Sequence, residues 1–132
     1  MASIFTKIVN GEIPCHKVAE TEDFLAFLDI RPRAAGHTLV IPKLEIDYLF
    51  DLPEEMYAEL WQFARRVAAA VEAVVPCKRV SVAVIGLEVP HAHIHLIPIN
   101  RMSDTNFERP PVTMSEEDNA ALAAKIAVEF MS

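Results

Sequence analysis

The chain has 132 residues, 52% of them apolar, and a formal net charge of −7. That length fits one domain spanning residues 1–132 with a real core, and a composition with only three glycines and no low-complexity tract excludes a disordered polymer. Basic residues are scattered singly or in pairs, as at Arg65–Arg66 and Lys78–Arg79, which excludes the basic stripe of a nucleic-acid binder but leaves room for a small anionic ligand.

No apolar run approaches the length of a membrane span. The opening MASIFTKIVNGEIP lacks a cationic start followed by an apolar stretch, so no signal peptide is expected. Cys15 and Cys77 form no C-x-x-C pair, which suits a reducing cytoplasm.

In chain order, segment 3–10 is short and apolar and is punctuated by Asn10–Gly11 and Pro14. Residues 16–20 and 24–29 read as two strands, with Glu22–Asp23 as a hairpin turn. The stretch RPRAAGHTLVIPK contains a loop rich in proline and glycine, then a strand over His37–Ile41. A long helix is predicted over 53–75, with Asp51 as N-cap and Pro53 in its first turn. Leu60, Phe63, Ala64, Val67, Val71 and Val74 give it one apolar stripe, and Pro76 stops it. Residues 79–85 and 91–99 read as two more strands, joined through Gly86 and Pro90. Ser115, followed by Glu116, Glu117 and Asp118, starts a last helix to about Phe130, the acids complementing its N-terminal dipole. Neighbouring strands with only two helices favour an α+β fold with an antiparallel sheet of about five strands.

His91, His93 and His95 alternate along a predicted strand, where side chains two apart share a face. Successive Cα atoms on that face are roughly 7 Å apart. Ala92, Ile94 and Leu96 would face the core on the opposite side. A row of imidazoles suits attack on phosphorus: one ring as nucleophile, others donating hydrogen bonds to the charged oxygens or a proton to the leaving group. The same spacing also suits zinc, with a third ligand from elsewhere such as His37, and spacing alone leaves both open.

At HAHIHLIP the chain resembles the histidine triad (HIT) family, with its H-x-H-x-H signature. IFTKIVNGEIP, FLAFLDIRP and GHTLVIPK extend the resemblance over most of residues 4–98. It implies a HIT-like fold, a homodimer, a purine nucleotide pocket and a nucleotide hydrolase or transferase of phosphoramidase or dinucleoside polyphosphate hydrolase type. His93 would be the nucleophile that forms a nucleotidyl-histidine, and His95 would contact phosphate oxygens and assist the leaving group. His91 and His37 would fix tautomers. Asp29 would accept ribose hydroxyls, with Ile30 beside it, and Phe5, Ile8, Phe27 and Leu39 would surround the base. Asp29 could instead cap a turn, and the apolar residues could be ordinary core.

Two departures qualify the likeness. Many bacterial relatives bind a structural zinc through a C-x-x-C, a later histidine and the first triad histidine. Ser3, Thr6 and Glu45 stand at those three positions here, and hydroxyls are poor zinc ligands, so neither a metal nor another cofactor is expected. The family's G-Q-x-V-x-H reads Gly86-Leu87-Glu88-Val89-Pro90-His91. Glu88 facing a phosphate at ~4 Å would cost on the order of 4 kcal/mol at an intermediate dielectric. Leu87 and Glu88 therefore favour, as an alternative, a nucleotide-binding module with weak or lost catalysis.

Overall fold

A computed structural model describes residues 2–132. Its elements are α1 (Ile4–Val9), β1 (Lys17–Glu20), β2 (Phe24–Leu28), β3 (Thr38–Pro42), α2 (Glu54–Val74), β4 (Arg79–Ala83), β5 (Ile94–Ile99) and α3 (Glu116–Met131). The strands form one antiparallel five-stranded sheet in the order β1-β2-β3-β5-β4. The α+β expectation holds.

Strand alternation divides the sheet into two apolar faces. Phe24, Ala26, Leu28, Val40, Ile94 and Leu96 point to α2 and α3 and form the larger core. Leu25, Phe27, Leu39 and Ile41 point the other way and pack with Phe5 of α1. Both faces of β2 and β3 are covered, so those strands read as unbroken apolar runs. Ile94 and Leu96 are at most 1% exposed, and each such burial is worth about 1.5–3 kcal/mol.

Helix α2 buries Leu60, Phe63, Ala64, Val67, Ala70 and Val71, close to the expected stripe. Its cap differs from expectation. Pro53 is the N-cap and its carbonyl accepts from Tyr57, whereas Asp51 lies in a preceding 3-10 turn over Leu49–Asp51. Segment 3–10 is helical from Ile4, because the Ser3 hydroxyl caps α1 by accepting from the Thr6 N–H.

The strand expected over 91–99 begins only at Ile94. Pro90 has no N–H, the His91 N–H goes to the Val89 carbonyl, and the Ala92 N–H goes to the Ile46 carbonyl, so these donors leave the ladder. The partner strand β4 ends at Ala83, which pairs with His95. On the other side of β5, Leu39 pairs with His95. Gly36 has φ +92°, and a Cβ there would meet Val75 Cγ2 at 2.7 Å, so only glycine lets the chain turn into His37 this close to the end of α2.

Candidate active site

All four predicted histidines are buried: His37 and His91 are 1% exposed or less, His93 and His95 7%. Three elements bring them together: the turn before β3 carries His37, the irregular approach to β5 carries His91 and His93, and β5 itself carries His95. The rings of His93 and His95 lie 4.9 Å apart and those of His37 and His95 5.2 Å apart.

The hydrogen bonds settle the tautomers. The Arg33 N–H donates to His37 Nδ1 at 2.9 Å, so the His37 proton is on Nε2. That Nε2–H faces His95 Nδ1 at 3.0 Å and donates to it, which leaves the His95 proton on Nε2. His93 Nδ1 is 2.7 Å from the His91 carbonyl and must donate to it, so its Nε2 holds the lone pair. His91 donates from Nε2 to the Pro42 carbonyl at 2.8 Å, and its Nδ1 accepts from the Ser3 hydroxyl at 2.7 Å. Two ring nitrogens remain without a protein partner, Nε2 of His93 and Nε2 of His95. Neither is among the fully buried polar atoms left unpaired in the described residues, so both keep contact with solvent. One is an acceptor and the other a donor.

Burial holds the outer rings neutral. Desolvation lowers the His37 pKa to about 4, with Asp29 opposing the shift and Arg33 and His93 adding to it. Desolvation also lowers His95 to about 3, helped by His37 and His93. His91 is shifted down by the same cause, against the Pro42 carbonyl and Glu45.

The carboxylate of Asp29 is used twice. Oδ1 accepts from the Arg31 N–H at 2.9 Å, the turn-capping arrangement, while Oδ2 lies 3.5 Å from His37 Nε2. Ile30 beside it is 78% exposed. Phe5, Phe27 and Leu39 are buried on the histidine face with Ile8 at their edge. The Phe5 ring is 5.6 Å from Phe27 and 5.0 Å from His93. Gly86 is exposed with φ +74°, Leu87 is 88% exposed, and Glu88 is exposed with no hydrogen bond or ion pair among the described residues.

Two donor sets invite a metal and neither fits one. Asp29, His37 and His95 each place a ligand atom within 4.8 Å of the others. A cation on His37 Nε2 would displace the proton that the Arg33 N–H forces onto it, leaving the ring with no proton at all. Ser3, Thr6, Glu45 and His91 do converge. There the Glu45 carboxylate accepts from the Ser3 N–H at 2.7 Å and from the Thr6 hydroxyl at 2.6 Å, and the Ser3 hydroxyl turns to His91. Hydrogen bonds consume every donor and hydroxyls are weak zinc ligands, so this quartet is a hydrogen-bonded clamp.

Some site residues escape a reading of the sequence. Ser3 and Thr6 are legible only as missing ligands, not as the partners of His91. Arg33 and Phe107 gave no signal beyond one cation and one aromatic in turn-rich segments. The Phe107 ring lies 5.0 Å from His95 and 6.1 Å from His37, edge-on to both.

Comparison with known proteins identifies the family. Residues 10–102 match the family described as the HIT domain. An uncharacterized HIT-like protein of Methanocaldococcus jannaschii is 42% identical over 105 residues, 72% of this chain and 77% of its own. An adenosine 5'-monophosphoramidase of Schizosaccharomyces pombe is 36% identical over 133 residues, covering 96% of this chain and 97% of its own. The crystal structure of a hypothetical histidine triad nucleotide-binding protein from Sulfolobus tokodaii superposes with a TM-score of 0.85 at 28% identity, over 96% of this chain and 91% of that one. Ser3, Phe5 and Phe107 lie outside the 10–102 segment, so the family match covers all four histidines but not these three neighbours of the row.

Proposed function

The chain belongs to the HIT domain family, and from that premise we propose that it is a nucleotide hydrolase or nucleotidyl transferase acting at the α-phosphate of a purine nucleotide. The S. pombe relative's description as an adenosine 5'-monophosphoramidase supports a phosphorus–nitrogen bond as the one broken. The observation that carries the reading is the pair of unpartnered nitrogens: a lone pair on His93 Nε2 beside a proton on His95 Nε2, on rings 4.9 Å apart.

In the first step His93 Nε2 attacks phosphorus, a phosphorus–nitrogen bond to His93 forms, and the bond to the leaving amine or phosphate breaks. The His93 ring becomes cationic, and its Nδ1–H already points at the His91 carbonyl, which stabilises that charge. Beside the anionic phosphate His95 takes up a solvent proton on Nδ1, giving up the bond it accepts from His37, and as an imidazolium passes its Nε2 proton to the leaving group. In the second step water attacks the nucleotidyl-histidine, its proton passes to His95, and His93 Nε2 is regenerated. Asp29 keeps lone pairs on Oδ2 for ribose hydroxyls, with Ile30 beside it, and Phe5, Ile8, Phe27 and Leu39 offer the base an apolar wall.

His93→Ala should abolish turnover of an adenosine phosphoramidate while adenosine monophosphate still binds. A labelled nucleoside phosphoramidate should leave its nucleotidyl group on His93 of the wild-type chain. Turnover unchanged in His93→Ala would sink the reading. Exposed Leu87 and Glu88 favour a second reading, a binding module with weak catalysis. It predicts tight nucleotide binding with no covalent adduct under any condition.

We read the whole chain as one HIT-like domain working as a cytoplasmic homodimer. No helix among the described residues is long and apolar enough to cross a membrane. β4 sits at the sheet edge, and Val82 on it with Val84 and Ile85 just beyond its end are between 41% and 52% exposed, a surface suited to pairing with a second copy. Sedimentation measures that assembly directly.

A further inference from the structure

Phe107 stands outside everything the reaction has used so far. It lies in the turn-rich stretch between β5 and α3, yet its ring meets His95 edge-on at 5.0 Å. The aromatic contacts run in a line: Phe5 against His93, His93 against His95, His95 against Phe107. Phe107 therefore packs on the proton donor one contact further along the row than the nucleophile, and it also meets His37 at 6.1 Å.

The segment that carries it is latched to the chain that carries Asp29. The Arg33 Nη1 donates to the Asn106 carbonyl at 3.2 Å and to the Arg109 carbonyl, and its guanidinium sits 5.7 Å from the Phe107 ring centre. The Val112 N–H donates to the Pro32 carbonyl at 2.8 Å. The Arg33 N–H meanwhile sets the His37 tautomer. One residue thus holds both the ring behind His95 and the ring that bonds to it. Phe107 itself is 36% exposed, so one part of its ring covers His95 and another part is open to an incoming group.

We propose that Phe107, held by Arg33, is a specificity-determining residue: it forms the wall that the leaving group meets, and selects leaving groups by size and apolar character. This rests on the reading of the site as a nucleotidyl-transfer centre. In that chemistry the leaving group departs opposite His93 and takes its proton from His95, and Phe107 is the partly open aromatic ring that packs on His95. An exposed aromatic edge there favours a planar or apolar amine over ammonia through contact area and aromatic packing. Discrimination by one apolar wall is worth about 10- to 200-fold in kcat/KM.

The test uses two substrates that share the adenosine phosphate half and differ only in the amine, one unsubstituted and one an aryl amine. The wild-type chain should prefer the aryl amide. In Phe107→Ala the ratio of the two kcat/KM values should shift at least about tenfold towards the unsubstituted amide. Arg33→Lys should shift it the same way by less, since a lysine keeps the charge but loses the two-carbonyl fork. Adenosine monophosphate, which has no leaving amine, should bind both variants with wild-type affinity, which also verifies that they fold. An unchanged ratio in Phe107→Ala would overturn the inference, and so would a loss of nucleotide affinity at constant ratio, which would assign Phe107 to the nucleotide half. No turnover of either amide by the wild-type chain would overturn the parent reading instead, and this inference with it.

Discussion

The two ends of the histidine row are built from the same residue type at the same spacing and end in opposite chemical states. At one end, both nitrogens of His91 are consumed by the protein, Nδ1 by Ser3 and Nε2 by the Pro42 carbonyl. Glu45 clamps Ser3 and Thr6 behind it. At the other end His95 spends only Nδ1, on His37, and keeps an Nε2 proton at the solvent boundary beside Phe107. His93 stands between them, fixed from the His91 side through a backbone carbonyl and open on the His95 side. A histidine's role follows from how many of its nitrogens the fold leaves over. By that count His91 is a positioning residue and His95 a chemical one.

The sharpest break in this comparison comes from changing each end in turn. His95→Gln should lower kcat by about 100- to 10,000-fold, the usual worth of a positioned general acid, with nucleotide affinity little changed. His91→Gln should lose chiefly stability, because it disturbs two buried hydrogen bonds, and its kcat should stay well above that of His95→Gln. Paired measurements of kcat and urea midpoint would decide it. Equal kcat losses with equal stability losses would erase the distinction between the ends.

Ser3→Ala is milder and more pointed. It removes the N-cap of α1 and leaves His91 Nδ1 only the Thr6 hydroxyl, 3.4 Å away and already donated to Glu45, an effect of roughly 1–3 kcal/mol on stability. Turnover should fall by less than about tenfold, since His93 keeps its bond to the His91 carbonyl. A Ser3→Ala chain of normal stability would show that Ser3 does not anchor His91.

The pH dependence of stability tests the other end. His37 at about 4 and His95 at about 3 are both depressed below the unfolded value for histidine. The unfolded chain therefore binds more protons as pH falls below about 6.5, and stability, fully present above that, is lost as pH drops towards the folded values. His95 alone should cost on the order of 2 kcal/mol between about pH 7 and about pH 5. Urea midpoints at the two pH values should fall further for the wild-type chain than for His95→Gln. Identical pH slopes would mean that His95 is not held neutral by burial.

How much of this was legible beforehand follows the same division. The strands, both long helices and the convergence of four histidines could be read from alternation, helical spacing and resemblance, because those signals are local or shared within a family. The start of β5 at Ile94 could not, because it depends on where the His91 and Ala92 N–H groups find acceptors, and one of those acceptors is Ile46. Ser3, Thr6 and Glu45 were placed correctly as a set, but only as absent ligands: sequence shows which donor is missing, not which hydrogen bond replaces it. Phe107 and Arg33 are 74 residues apart in the chain, and nothing in either neighbourhood announces the other.

The smallest expected effect asks whether the His91 end is held by charge or by shape. The Glu45 carboxylate is exposed, and its pKa is lowered first by the Ser3 N–H and then by the Thr6 hydroxyl. Both contacts need an acceptor oxygen, which the anion supplies best and an amide also supplies. Glu45→Gln keeps such an oxygen and should leave Tm and kcat close to wild type, whereas Glu45→Ala frees the Ser3 N–H and the Thr6 hydroxyl together and should lower Tm, though less than Ser3→Ala does. If Gln behaved like Ala, the clamp would depend on the charge, and its effect should then shrink with added salt because the group is exposed to solvent. A glutamine that restores wild-type behaviour would mean that this end needs only an oxygen in the right place.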